Sequence, residues 1–463
     1  MATADLEEMT IDSFRNQIRG EVLQPGDEGY DEARTVWNAM IDKKPTVIAR
    51  CTGTADVISA VNFARDLGLL LSVKGGGHNV AGTAVCDDGL MIDLSLMNNV
   101  WVDPDEQIAR VGGGATVGEL DHETQAFGLA TTGGIMSETG LGGLTLGGGF
   151  GYLARKYGLT HDNLRSIDVV TADGELVRAS GSENPDLFWG MRGGGGNFGI
   201  ATSFEFDLHE VGPEVLAGRL LFPVETAPAF LRFYREFMAD APNEVMCFAT
   251  FLRGSPELGL PEQFHGETLL APAVLYSGDI ATGRGVLRPL REFGEPIADS
   301  IEPTPYKEHQ QNIDELLREG HRNFWKSNFY DELSDGFVDT VLEHVDPLPS
   351  PFTTVFLEWH EGAIAEAERD ATAFPHRDKS FAFTIAPKWT DPERDDELIA
   401  WAREFHEALA PYAADGVYMN YVDQDEARVQ DAYGDRYERL RGIKTEWDPE
   451  NLFRMNQNIK PDD

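Results

Sequence analysis

The chain has 463 residues, too many for one ordinary core, and its 41% hydrophobic and 25% charged content is a globular balance that excludes wholesale disorder. Asp and Glu number 79 against 38 Lys and Arg, and the resulting net charge of -41 repels nucleic acid and anionic membrane, so both are excluded as partners. The acid is spread along the whole chain, as in a halophilic protein of a salt-rich cytoplasm or an acidic enzyme of an ordinary one.

The first periodic segment is Thr54–Leu67, where Val57, Ile58, Val61, Ala64 and Leu67 keep helical spacing, Thr54 is the expected cap and Gly68 the expected stop. A short apolar strand over 69–73 runs into Lys74-Gly75-Gly76-Gly77-His78-Asn79. Strands over 89–94 and 107–111 follow, and Thr116 with Glu119 forms a capping box opening a helix that closes at Gly128. A second glycine cluster runs from Gly133 to Gly151, and a third from Gly193 to Gly196 with Gly199. Asp173-Gly174 marks a hairpin between strands over 167–171 and 175–179. Strands and helices alternate to about residue 210, which reads as an α/β or α+β domain.

From about residue 216 the glycine clusters stop. Longer strands over 244–252, 352–360 and 381–389 alternate with amphipathic helices over 227–238, 337–345 and 393–409. This pattern predicts a second domain, an antiparallel sheet with helices on one face. Residues 417–422 read as a strand, followed by helices to Trp447 that return to the first domain. The expected division is 1–212 (core about 42–212), 213–415 and 416–463.

Glycine inside regular structure costs about 0.5–1 kcal/mol relative to Ala. Three clusters in one domain, one directly after a strand, therefore point to backbone that turns with positive φ and lets N–H groups approach a phosphate. The Lys precedes the glycines and no G-x-G-x-x-G opens a helix, so neither a Rossmann nor a Walker site is supported, and an NAD enzyme is the weaker nucleotide reading. Cys51, Cys86 and Cys247 are too dispersed for a metal or disulfide framework, and the eleven histidines show no metal spacing. No stretch is long and apolar enough to span a bilayer, and the acidic N-terminus lacks a signal core, so a cytoplasmic location is expected.

The loop Lys74–Asn79 resembles the pyrophosphate loop of flavoproteins with the p-cresol methylhydroxylase (PCMH) type of FAD-binding fold. Gly140-Leu-Gly-Gly-Leu-Thr-Leu-Gly-Gly-Gly-Phe-Gly151, Arg155–Gly158, Asp162-Asn163, Asp186–Trp189 and Gly193–Ile200 are similar to the berberine-bridge-enzyme-like oxidoreductases. So are Asn420–Asp423 and Asp448–Phe453, and the resemblance spans nearly the whole chain in order. It implies a two-subdomain FAD domain, a substrate domain and a C-terminal return. It also implies FAD held by Lys74, Gly75, Gly76, Gly77, Asn79, Gly134, Thr139, Gly140, Gly143, Gly147, Gly149, Gly199 and Ile200.

Within that resemblance His78 stands where a histidine joins the flavin 8α-methyl carbon. An imidazole nitrogen is a competent nucleophile for such a bond. Met136 stands where many members carry a second attaching cysteine, and Leu144 where they often carry His, so a single tether is expected. Thr139 occupies the position where a small residue admits O2, which favours an oxidase over a dehydrogenase.

Tyr421 matches the family's base, taking the O–H or N–H proton while hydride passes from a substrate C–H to flavin N5. On a strand, Tyr418 and Asn420 would share the opposite face and contact the flavin. Gln310, Asp314, Trp325, Lys326, His360 and His376 are the second-domain residues of interest. The readings carried forward are an FAD oxidase acting on a sugar, alcohol or cyclic amine, an FAD dehydrogenase, and a flavin-binding module without turnover.

Overall fold

The computed structural model describes residues 8–423 and 429–462. Three main sheets organise them. The first has the order Glu21–Leu23, Val47–Arg50, Leu90–Asp93, Leu71–Lys74, with its first pair antiparallel and the others parallel. Leu90–Asp93 is wholly buried, as a strand paired on both sides and covered by helix Thr54–Leu67 must be. Gly68 ends that helix in the left-handed conformation (φ +63°), as the sequence implies. Its start differs: Gly53 is the N-cap, and the buried Asp56 carboxylate accepts the N–H groups of Arg19, Gly20 and Thr52 instead.

The second sheet is fully antiparallel, in the order Val100–Asp103, Ile108–Gly112, Ile200–Asp207, Leu164–Val170, Leu176–Ser180. The Asp173-Gly174 hairpin and the Thr116/Glu119 capping box both form. The third sheet has eight antiparallel strands. Its central run is Glu214–Pro223, Thr268–Tyr276, Val245–Arg253, Thr354–Trp359, Phe381–Ala386, Lys326–Tyr330. Helices Ala227–Asp240, Asp335–Val345 and Asp395–Leu409 bury their apolar stripes in one cluster with this sheet. The fold is thus α+β, with antiparallel sheets and flanking helices.

The chain beyond Val417 packs back onto the second sheet, where Val417, Met419, Tyr433, Leu440 and Ile443 share a cluster with Ile167, Trp189 and Phe204. Lys444 fastens this return. Its buried ammonium donates to Asp448 Oδ2 (2.6 Å), Asn197 O and Phe453 O, while Asp448 accepts the N–H groups of Leu452 and Phe453. Arg155 reaches across the other way, donating to the carbonyls of Val245 and Ala241 in the large-sheet region.

Residues 417–422 are not a strand. Tyr421 N–H donates to Tyr418 O at 2.9 Å, and Met419–Tyr421 closes a 3-10 turn. The physical reason is a distant partner: the Tyr418 hydroxyl accepts both the Gly149 N–H (2.9 Å) and the Asn420 side-chain amide (2.8 Å), which holds the segment in a turn against the glycine-rich loop.

Candidate functional site

The strand Leu71–Lys74 ends beneath the turn Gly75-Gly76-Gly77, and Gly77 in the left-handed region (φ +68°) delivers His78 into a cavity. The second glycine-rich loop meets the first backbone to backbone. A Cβ on Gly140 would stand 2.2 Å from Gly76 N, and one on Gly76 would stand 2.4 Å from Gly140 N. Only glycine permits this approach.

The cavity runs between these loops and the eight-stranded sheet. Gly75, Gly76, Gly77, His78, Asn79, Gly134, Thr139, Gly140, Gly143, Gly199, Ile200, Asn420 and Tyr421 all line it, as do Met136 and Leu144. Four expected contacts do not. Lys74 turns its ammonium to the carbonyls of Ala33 and Thr35 (2.8 and 2.9 Å). Gly147, Gly149 and Tyr418 stand behind the wall: a Cβ on Gly147 would strike the Asn420 amide, and Gly149 binds the Tyr418 hydroxyl. They support the wall rather than form it. Because 417–422 is a turn, Asn420 and Tyr421 face the cavity together.

His78 Nε2 is buried and has no hydrogen-bond partner among the described residues. Trp37 stacks on its ring, with centroids 4.4 Å apart. Burial, and then the positive charge of Lys388, hold its pKa down at about 4, so the imidazole is neutral near pH 7. Among the described residues no aspartate or glutamate lines the cavity, although the chain carries 79 of them. A glycine-walled cavity free of carboxylates, with an orphaned neutral imidazole in it, fits a group that carries a pyrophosphate and a flavin ring.

Tyr421 lies among aromatic rings: Tyr418, Trp325 and Phe356, with centroids 4.7, 5.3 and 6.2 Å away. Burial first, and then Glu358, push its pKa well above 10. Glu358 is 1% exposed, and burial raises its carboxyl to about 8, partly offset by the Tyr421 hydroxyl. Among the described residues neither carboxyl oxygen completes a well-formed hydrogen bond, although Tyr421 is its electrostatic neighbour. Sequence reasoning missed Glu358. The available signal was a lone acid in the apolar strand Thr354–Trp359, on the same face as Thr354 and Phe356, which line the cavity.

The other second-domain residues divide. Trp325 lines the cavity. Gln310 donates to Gly134 O and Asp121, and Asp314 accepts the Ser137 N–H and hydroxyl, so both fasten the loop around Met136. Lys326 lies against the Phe324 ring, His360 stacks on Phe150, and His376 meets Ala432 O; none of the three lines the cavity.

Residues 45–180 match the model of the FAD-binding domain, and residues 417–460 match the model described as berberine and berberine-like. Over 96% of its length the chain is 34% identical to (R)-6-hydroxynicotine oxidase of Paenarthrobacter nicotinovorans, covering 97% of that protein. The chain belongs to the berberine-bridge-enzyme-like FAD-linked oxidoreductases. Its fold superimposes on crystalline 6-hydroxy-D-nicotine oxidase from Arthrobacter nicotinovorans with TM-score 0.87 and 31% identity, covering 96% of this chain and 98% of that one. Glucooligosaccharide oxidase of Sarocladium strictum is 28% identical, with 95% of this chain and 92% of that protein covered. The protein is therefore an FAD-dependent oxidoreductase, and the cavity between the glycine-rich loops is the candidate FAD and substrate site. No helix among the described residues is long and apolar enough to cross a membrane.

Proposed function

We propose that the protein is an FAD-dependent oxidase that removes hydride from a C–H next to a hydroxyl or amine of a small molecule, with O2 as electron acceptor. The observation that carries this reading is Tyr421, lining the same cavity as His78 with Glu358 buried behind it. When bound, FAD supplies the two-electron acceptor for that hydride and returns the electrons to O2 as hydrogen peroxide. Tyr421 receives the substrate's O–H or N–H proton, and Glu358 is the deeper acceptor that makes this possible. A phenol whose pKa is above 10 is a weak base alone, but beside an ionised carboxylate it can pass its own proton on as it gains the substrate's. The apolar aromatic surroundings of Trp325 and Phe356 strengthen this electrostatic coupling.

His78 is the proposed covalent link to the flavin, through a neutral imidazole and without a second tether, since the Met136 thioether cannot form one. Gly75, Gly76, Gly77, Asn79, Gly134, Thr139, Gly140, Gly143, Gly199, Ile200 and Asn420 are the proposed cofactor wall. We place the domain divisions at 212/213 and 415/416, and the protein in a salt-rich cytoplasm, a setting supported by the net charge of -41. The relatives that oxidise 6-hydroxynicotine and glucooligosaccharides make cyclic amines and sugars the first substrates to try, with simple alcohols as the third group.

The test is an oxygen-electrode screen of these three groups on the purified, FAD-loaded protein, with peroxide measured in parallel. Peroxide formed in step with oxygen uptake is expected. A flavin that a substrate reduces but that stays reduced in air would make the protein a dehydrogenase, and a flavin that no member of the panel reduces would favour a binding module.

A further inference from the structure

Among the described residues the cavity holds no carboxylate and one lysine or arginine, Lys388. Lys388 follows the strand Phe381–Ala386 and pairs across a short ladder with Asn323, which also lines the cavity. The residue is 2% exposed. Its ammonium donates one hydrogen bond, to Leu316 O at 2.9 Å, and stands 5.5 Å from the centroid of Trp37. Two of its three N–H donors have no acceptor among the described residues.

The charged groups around it leave it without a counter-ion. Arg318 repels it and Glu138 attracts it, and among the described residues neither forms an ion pair with it. His78 is neutral, and Arg322, on the paired strand, is closed in its own two-pronged ion pair with Asp395. Burial, with Arg318, lowers the Lys388 pKa to about 7. Buried charges in proteins are paired as a rule, and a cation kept without a partner in a ligand cavity is complete only when the ligand brings the anion.

We propose that Lys388 anchors an anionic oxygen group of the substrate, so that the substrate is a ring compound bearing a carboxylate away from the carbon that is oxidised. The ring is called for by the walls, where Trp37, Trp325, Phe356 and Tyr421 present aromatic faces and edges to the same space. This rests on the oxidase reading above, because the anchored molecule is the one that Tyr421 and Glu358 deprotonate. The same anionic-oxygen chemistry could come from the phosphates of FAD. The glycine-rich loops, with their backbone N–H groups, meet that need themselves, while Lys388 is carried by the segment that follows the large-sheet strand Phe381–Ala386.

The test uses oxidised, FAD-loaded protein and the pair benzoate and benzamide, with binding read from the change in flavin absorbance at pH 6 and pH 9. Benzoate is expected to bind at least about tenfold tighter than benzamide at pH 6, a difference that shrinks at pH 9 as the ammonium is lost. Lys388→Met should level the two ligands at both pH values. Lys388→Arg should keep the preference at both, because a guanidinium stays charged, and a purely structural role for Lys388 would not produce that pattern. A wild type that binds both probes alike, or neither, overturns the proposal. So does a Lys388→Met variant that keeps the benzoate preference but retains FAD poorly, because the cofactor would then be the counter-ion. FAD content, read from visible absorbance before either probe is added, tests the flavoenzyme reading separately.

Discussion

Replacing Glu358 by Gln tests the proton path directly. The carboxyl is fully buried, with its pKa raised to about 8. At pH 7 about one molecule in eleven carries the ionised form, and at pH 9 about ten in eleven, so flavin reduction should rise roughly tenfold between them. Gln keeps the size but accepts no proton. Glu358→Gln should flatten the profile and lower the reduction rate by about 10²–10⁴-fold, the usual span for removal of a general base. The assay is anaerobic stopped-flow with the best substrate of the screen, followed by absorbance at constant ionic strength. Stability supplies an independent sign. With the folded pKa raised from 4.5 to about 8, the wild type is not penalised below pH 4.5 and loses stability progressively up to about pH 8, because the unfolded chain gives up a proton that the native state keeps. The loss amounts to a few kcal/mol, since each tenfold difference in proton affinity between the two states is worth about 1.4 kcal/mol. Glu358→Gln carries no such penalty, so its melting temperature should rise relative to wild type as pH goes from 5 to 9. A variant with the wild-type rate and the wild-type pH slope would remove Glu358 from the path, and with it the account of how Tyr421 becomes effective.

Three further outcomes are expected. His78→Ala should release FAD into the supernatant on acid precipitation while wild type gives a yellow pellet; covalent flavin surviving the change would mean another residue carries it. Gly140→Ala sets a methyl 2.2 Å from Gly76 N, and two backbones cannot yield as a side chain would, so FAD incorporation, read as the flavin-to-protein absorbance ratio of the purified variant, should collapse. Lys444→Met leaves the buried Asp448 carboxylate without its cation and should cost about 3–5 kcal/mol, seen as a lower denaturation midpoint in urea; an unchanged midpoint would show that Leu452 and Phe453 N–H groups alone satisfy Asp448.

Local chemistry was enough for the sequence to determine many of the elements and much of the cavity wall. The Thr116/Glu119 box, the Gly68 stop and the Asp173-Gly174 hairpin are each settled within a few residues, and all three form. The glycine runs announced a cradle because glycine inside regular structure is costly unless the backbone must turn with positive φ or approach another group closely. Where the reading failed, the deciding partner lay far along the chain. The aromatic run at 417–422 has the composition of a strand, but the Gly149 N–H, some 270 positions earlier, bends it into a turn and sets Asn420 and Tyr421 on one side. Lys74 looked like a phosphate ligand until the carbonyls of Ala33 and Thr35 claimed its ammonium. Glu358 and Lys388 are an ordinary strand acid and an ordinary lysine by sequence. Only the tertiary structure buries them beside Tyr421 and His78, and burial is what moves an ionisable group to the pH range where it can act.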